Sequence, residues 1–133
     1  MTIPSSVKTV GYNAFYYCSK LFDVVNLSEL TITAGGTDNG RVGKYAKNIC
    51  SAAEESRAFS KGYYHFYRDL ETTYLLAYDG HEKDLILPTL EDGEVYEIYE
   101  STFSGLNFIE SVNIPEGVTA INAYAFSNCK SLK

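Results

Sequence analysis

The chain has 133 residues, a formal net charge of -6, 12 tyrosines and no tryptophan. An acidic surface repels the phosphate backbone of nucleic acids and anionic lipid headgroups, so the composition disfavours nucleic acid as a partner. No apolar run is long enough to span a bilayer, which predicts no membrane insertion. The length suits a single domain covering residues 1–133.

Two stretches near the ends of the chain, residues 2–21 and 113–132, share one spacing of apolar residues. The matching residues of the first stretch are Ile3, Pro4, Val7, Ala14, Phe15, Cys18 and Leu21. Those of the second stretch are Ile114, Pro115, Val118, Ala125, Phe126, Cys129 and Leu132. A fixed apolar spacing with variable polar residues between is typical of a structural repeat.

A third, degenerate copy lies just before the second stretch. Its apolar residues, at the same steps as those after Ile121, are Ile98, Phe103, Leu106 and Ile109. The resulting period of about two dozen residues falls within the range of leucine-rich repeats, roughly 20–29 residues. We therefore expect Phe15, Phe103 and Phe126 to be buried at equivalent positions.

The cysteines follow the same repeat. Cys18 and Cys129 occupy equivalent positions, and Leu106 occupies the third. A leucine can replace cysteine only where the site needs a small buried apolar group. The pattern therefore predicts that Cys18 and Cys129 are buried free thiols, and the odd count of three argues against a disulfide framework or a zinc site.

Residues 34–84 read as an insertion between repeats at about 2–33 and 85–133. Residues 27–33 alternate as a strand does, and residues 41–55 have helical apolar spacing. The helix is expected to bury Tyr45 and Ile49 and to expose Lys44 and Lys47. Residues 62–68, 74–78 and 84–88 then predict a small antiparallel meander, with a hairpin turn at Asp79-Gly80.

These repeats resemble the BspA-type leucine-rich repeat family of bacterial and protozoan surface proteins. The residues that carry the resemblance are the Ile-Pro step, the Ala-Phe pair and the following Cys and Leu. The expected fold is an α/β leucine-rich-repeat solenoid with an inserted helix and a small antiparallel β meander. Neither end of the chain looks like a capping repeat, so we expect a longer protein, and residues 1–4 are not a signal peptide.

Residue patterns for catalysis or metal binding are weak. There are two histidines, His65 and His81, and nothing in the sequence pairs Cys50 with His65 as a nucleophile and base. Residues 79–84 contain oxygen ligands but lack the late glutamate of a calcium loop. The chain is therefore predicted not to be an enzyme and to need no cofactor or metal.

Tyrosine supplies rigid contact area with a polar tip, which suits a recognition surface. The candidate ligand contacts are Tyr63, Tyr64, Tyr67 and Tyr99, although packing against the repeats would explain most tyrosines equally well. The resemblance implies a non-catalytic, adhesin-like protein at the cell surface or secreted, binding a protein, extracellular-matrix or glycan ligand. The alternative is a carbohydrate-binding or spacer module of a larger secreted enzyme, which coplanar exposed tyrosines would favour.

Overall fold

The computed structural model describes residues 1–133 as short strands joined by turns. The sequence predicts one domain, whereas the chain forms two compact units, Met1–Arg57 (unit 1) and Ala58–Lys133 (unit 2). The boundary falls inside residues 34–84, the segment predicted to be an insertion. No helix in the structure has the length and apolar character needed to cross a bilayer.

Unit 1 contains a parallel three-stranded sheet in the order β1-β2-β3. Its strands are β1 (Thr2–Ile3), β2 (Asp23–Asn26) and β3 (Asn48–Cys50). Thr2 pairs with Val25, and Asp23 pairs with Asn48. Each strand therefore lies about one repeat after its partner, as expected for successive turns of a repeat stack.

Unit 1 has a small aliphatic cluster of buried residues, Ile3, Val24, Val42 and Ala46. Phe22 and Val25 are also buried in this unit. A loop corner lies beside this core, where the Phe15 N–H donates to the Gly40 carbonyl at 2.8 Å. Gly40 has a φ of 66°, and a Cβ there would lie 2.6 Å from the Gly11 carbonyl oxygen. Only glycine fits this corner, because both the backbone angle and the space exclude a side chain.

Unit 2 contains two sheets. The larger has the order β10-β8-β6-β5-β4, and the smaller pairs β7 with β9. The strands are β4 (Ala58–Lys61), β5 (Tyr64–Arg68), β6 (Thr73–Tyr78), β7 (Asp84–Ile86), β8 (Tyr96–Ile98), β9 (Ser111–Asn113) and β10 (Val118–Ile121). Strands β4, β5 and β6 pair antiparallel, whereas β6-β8, β8-β10 and β7-β9 pair parallel.

The repeat register predicted for the end of the chain is confirmed. Ile98 lies opposite Ile121 in the β8-β10 pair. The rings of Phe103 and Phe126 stack with centroids 4.9 Å apart at an interplanar angle of 6°. Phe103 is fully buried, while Phe126 and the equivalent Phe15 in unit 1 are half-buried against their cores. None of the three phenylalanine rings is exposed to solvent.

The corners of the repeats are turns whose hydrogen bonds join residues three apart. The Leu106 N–H donates to the Phe103 carbonyl at 3.1 Å, and the Ile109 N–H donates to the Leu106 carbonyl at 3.3 Å. The corresponding bond from Cys129 to Phe126 is 3.3 Å long. Consecutive bonds between residues three apart turn the chain at each corner and keep one face inward.

The predicted helix at residues 41–55 is wrong. The only helical segments are single 3-10 turns at Asn39–Arg41, Ala53–Glu55 and Glu91–Gly93. Arg41 has a φ of 68°, which ends any helical run there. Ile49 instead lies in β3, half-buried against the unit 1 core, and Lys47 is exposed. Residues predicted as an inserted helix thus supply a strand of the repeat stack.

Two strand predictions also need correction. Residues 27–33 form no strand. The strand of this part of the chain is β2, which ends at Asn26, just before them. The antiparallel meander exists, but its strands are β4, β5 and β6, joined at Gly62-Tyr63 and at residues 69–72. The Asp79-Gly80 segment is no hairpin turn, since β7 pairs parallel with β9 rather than with β6.

Candidate functional site

The structure separates the four candidate tyrosines. Tyr63 is 56% exposed in the β4-β5 turn, and Tyr64 beside it is half-buried. Tyr67 is fully buried, so its selection as a ligand contact is wrong. The residue before it, Phe66, is buried on the opposite face, which means that both faces of β5 are covered at this point. Tyr99 is half-buried and does not join the other two.

Tyr63 and Tyr64 form one wall of an open groove of about 380 Å³ in unit 2. The aliphatic side chains of Ile86 and Pro88 also line it. Ile86 is 74% exposed, which is unusual for an isoleucine in a strand next to a well-packed core. The groove therefore presents aromatic and aliphatic contact area to solvent.

Charged side chains border this groove. Lys61, Glu82 and Asp84 line its rim. The Lys61 ammonium donates to the Thr89 carbonyl at 2.9 Å. Asp84 accepts a hydrogen bond from the Ser111 hydroxyl at 2.5 Å. Two acids and one base give the rim a net negative character.

Tyrosine hydroxyls hold the wall in place. The Tyr64 hydroxyl donates to the Ile86 carbonyl at 3.2 Å, and its ring lies 4.8 Å from that of Tyr78. The Tyr78 hydroxyl donates to the Glu82 carboxylate. Burial, and then this hydrogen bond, raise the pKa of Tyr78 to about 12. The same bond lowers the pKa of Glu82, so this carboxylate is ionised at neutral pH.

A second groove, of about 390 Å³, lies at the β5-β6 turn of unit 2 and is more polar. The Arg68 guanidinium binds the Glu94 carboxylate through two nitrogens, at 2.8 and 2.6 Å. The Thr73 hydroxyl donates to the same carboxylate at 2.6 Å. This hydrogen bonding occupies the Arg68–Glu94 pair, so it acts as a structural contact more than as a free recognition group.

His65 lies between Ser60 and Asp79 on the surface of unit 2. Its Nδ1 is 2.8 Å from the Ser60 hydroxyl, and its Nε2 is 2.8 Å from the Asp79 carboxylate. In serine hydrolases the histidine contacts serine through Nε2 and the acid through Nδ1, so the attachments are reversed here. Ser60 and His65 are direct cross-strand partners, which explains the contact structurally. The absence of catalysis stays a prediction.

The repeats of this chain match a known protein family. The family model described as "BspA type Leucine rich repeat region (6 copies)" matches residues 1–37 and 83–133, more than half of the chain. The chain belongs to the BspA-type leucine-rich repeat family. No curated protein and no solved structure matches it.

In this BspA-type protein the groove is lined by residues inside the segments that match the family model and by residues outside them. Ile86 and Pro88 lie within the family match, whereas Tyr63 and Tyr64 lie in the unmatched stretch between its two parts. The groove is therefore formed by the repeats together with residues outside the matched repeats.

Sequence reasoning missed Ile86, Pro88, Glu82 and Asp84 as groove residues. The run Asp84-Leu-Ile-Leu-Pro88 carries the signal, because alternate residues of a strand face opposite sides. Leu85 and Leu87 are buried, which places Asp84, Ile86 and Pro88 on the outer side. Their position beside Tyr63 and Tyr64 depends on contacts distant in sequence, which the pattern alone does not reveal.

The cysteines of this BspA-type protein behave differently from one another. Cys18 is exposed, so its predicted burial is wrong, whereas Cys129 and Cys50 are buried. The Cys129 thiol lies 3.1 Å from the Phe103 carbonyl of the preceding turn. All three thiols are free, and burial raises the pKa of Cys50. The same repeat position is thus buried at Cys129, against the preceding turn, and exposed at Cys18.

Proposed function

We propose that this BspA-type repeat protein is a non-catalytic, adhesin-like binding module, at a cell surface or secreted, that recognises a protein ligand. The groove formed by Tyr63, Tyr64, Ile86 and Pro88 is the proposed contact surface. Family membership supports a binding role in general terms, since stacked repeats provide extended surfaces for macromolecules.

The observation that carries this proposal is the exposed hydrophobic contact area at the groove. Tyr63 is 56% and Ile86 is 74% exposed, and they line the same cavity. Energetically dominant contacts in protein interfaces are enriched in tyrosine, set in pockets and surrounded by polar residues. The charged rim of Lys61, Glu82 and Asp84 provides such surroundings.

The alternative of carbohydrate binding depends on coplanar tyrosine rings. Ring pairs in this chain cross at 36° for Tyr64–Tyr78, 78° for Tyr74–Tyr99 and 87° for Tyr16–Tyr17. A sugar stacks best on an open flat face, and these crossed pairs do not extend one another into a platform. The protein ligand is therefore the better-supported proposal.

The test compares binding to a panel of immobilised extracellular-matrix proteins with binding to a glycan array. Tyr63→Ala should weaken binding to the recognised matrix protein by at least about tenfold, as expected for a central interface tyrosine. Tyr124→Ala is the matched control, because Tyr124 is 72% exposed in the same unit but outside the groove. Equal affinity of the Tyr63→Ala variant and the wild type, or binding to glycans alone, would contradict the proposal.

A further inference from the structure

Strand β7 has one paired edge and one open edge. The Lys83 carbonyl accepts from a β9 N–H at 3.2 Å, and the Leu87 N–H donates to a β9 carbonyl at 3.1 Å. Backbone groups alternate in direction along a strand, so the N–H groups of Asp84 and Ile86 point away from β9. The sheet contains only β7 and β9, and no strand pairs with this second edge.

An open strand edge is a template for another chain. The edge of β7 differs from an ordinary exposed edge because the groove lies against it, with Tyr63 and Tyr64 from the β4-β5 hairpin on the facing side. The Tyr64 hydroxyl already donates to the Ile86 carbonyl at 3.2 Å, which shows that a polar group from this side reaches the edge. On strand addition, a main-chain N–H of the incoming chain would replace this hydroxyl as the donor to the Ile86 carbonyl.

The charges at the groove define the chemistry of an incoming chain. Glu82 and Asp84 lie at the rim and are exposed. The single base, Lys61, is bound to the Thr89 carbonyl. The two carboxylates outnumber this one ammonium, so a lysine or arginine side chain on the ligand would be attracted to the rim, whereas an acidic side chain would be repelled.

We propose that the groove binds an extended peptide carrying basic side chains, which adds as a strand to the open edge of β7. Main-chain hydrogen bonds to Asp84 and Ile86 give affinity, and alternate side chains contact the tyrosine wall and the acidic rim, as in other cases of strand addition. This inference rests on the proposed function, because it names the class of ligand that the same groove takes.

The test uses three octapeptides as probes with the complete 133-residue chain. The first alternates lysine with threonine, the second has glutamate in place of lysine, and the third is the first peptide with alternate residues N-methylated. The lysine peptide should shift the NMR amide signals of Asp84 and Ile86. The second and third peptides should each bind at least about tenfold more weakly, through charge repulsion and lost hydrogen bonds respectively.

A pair of variants isolates the backbone contribution. Ile86→Pro removes the outward N–H without removing a bond to β9, and proline is accepted on a strand edge. Ile86→Val keeps that N–H and most of the side chain. The proline variant should lose at least about fivefold in affinity for the lysine peptide, while the valine variant should stay within about twofold. If Ile86→Pro fails to fold, the N-methylated peptide gives the same comparison on the wild-type chain.

Two outcomes would overturn strand addition and leave the groove in place as a protein-binding surface. One is equal binding of the N-methylated and unmodified peptides with binding still sensitive to Tyr63→Ala. The other is binding of a matrix protein through Tyr63 with no peptide binding. If no ligand binding of any kind depends on Tyr63, the proposed function itself fails, and strand addition fails with it.

Discussion

Units 1 and 2 both stack parallel strands about one repeat apart, but they fill their interiors differently. The core of unit 2 contains aromatic rings packed against one another, among them Phe66, Tyr96 and Phe103. The buried cluster of unit 1 is aliphatic, with Phe15 packed at its edge, and Phe22 is a buried ring of that unit outside this cluster. The same register is therefore compatible with cores of different composition.

Unit 1 adds a buried polar cluster. Asp23 is only 4% exposed and sits at the start of β2. Its carboxylate accepts from the Asn48 amide at 2.8 Å, from the Arg57 N–H at 3.2 Å and from the Ser56 hydroxyl. Asn48 is its partner in β3, so the cluster fixes strand pairing. Hydrogen bonding to the buried Asp23 side chain therefore supports strand pairing in unit 1.

The largest effect that follows from this comparison is for Phe103→Ala in unit 2. Phe103 is fully buried, stacks on Phe126 and lies 6.0 Å from the Tyr78 ring. Its truncation should lower the free energy of unfolding by about 4 kcal/mol through lost transfer energy and a cavity. Urea denaturation monitored by hydrogen exchange would locate the loss in unit 2.

Phe15→Ala is the matched variant in unit 1. Phe15 occupies the equivalent repeat position but is only half-buried. Its truncation should cost about 2 kcal/mol, since part of the ring is already in contact with water. A loss for Phe15→Ala equal to that for Phe103→Ala would show that the two interiors do not differ as described.

The apolar spacing of the repeats was sufficient to predict the register of unit 2. Ile98 and Ile121 are partners in the β8-β10 pair, as predicted from the identical apolar spacing that follows each of them in the sequence. Equal spacing also aligned Phe103 with Phe126. The spacing did not predict burial at Cys18, because burial depends on whether a neighbouring turn covers the residue.

Residues 41–55 were misread for a physical reason. A corner built from bonds between residues three apart places apolar side chains at nearly the same spacing as a helix. Here the Lys44 N–H donates to the Arg41 carbonyl at 3.1 Å, and the Ala46 N–H donates to the Gly43 carbonyl at 3.0 Å. Periodicity alone does not separate these successive turns from a helix.

The groove was predictable only in part. Tyr63 and Tyr64 are candidate contacts because the sequence is rich in tyrosine, and both line the groove. Ile86 was missed because the Asp79-Gly80 step suggested a hairpin, which would have paired β7 with β6. Gly80 is instead packed under the Tyr78 hydroxyl, where a Cβ would collide with it. This glycine is needed for space rather than for a turn.

The second prediction concerns the polar cluster of unit 1. Asp23→Ala removes the carboxylate that accepts hydrogen bonds from Asn48, Ser56 and Arg57. The free energy of unfolding should therefore fall by about 3 kcal/mol. Asp38→Ala, an exposed acid in the same unit, should change stability by no more than about 0.5 kcal/mol. Equal losses in equilibrium denaturation would mean that the cluster does not hold β2 and β3 together.

The third prediction tests the corresponding polar contact of unit 2. Hydrogen bonding to Arg68 lowers the pKa of Glu94, so its stabilisation is present above the ordinary carboxyl pKa and is lost as pH falls through the folded value. Because the Arg68 side chain is 54% exposed, Glu94→Gln should cost only about 1 kcal/mol at pH 7. The difference from wild type should shrink in denaturation curves below about pH 4.

The control for Glu94 is Glu116→Gln, an exposed acid of the same unit. Its effect should stay within about 0.5 kcal/mol at every pH. A constant loss for Glu94→Gln from pH 3 to pH 7 would mean that the charge of Glu94 does not contribute to the stability of unit 2.

The smallest effect on stability is expected at Cys18. A thiol reagent attacks the accessible thiolate, so the native chain should show fast labelling of Cys18 and slow labelling of the buried Cys50 and Cys129. Three thiols should react after denaturation. Cys18→Ser should abolish the fast phase and change the free energy of unfolding by no more than about 0.5 kcal/mol. Fast labelling of Cys129 in the native chain would show that the last turn of unit 2 opens as readily as the exposed corner of unit 1.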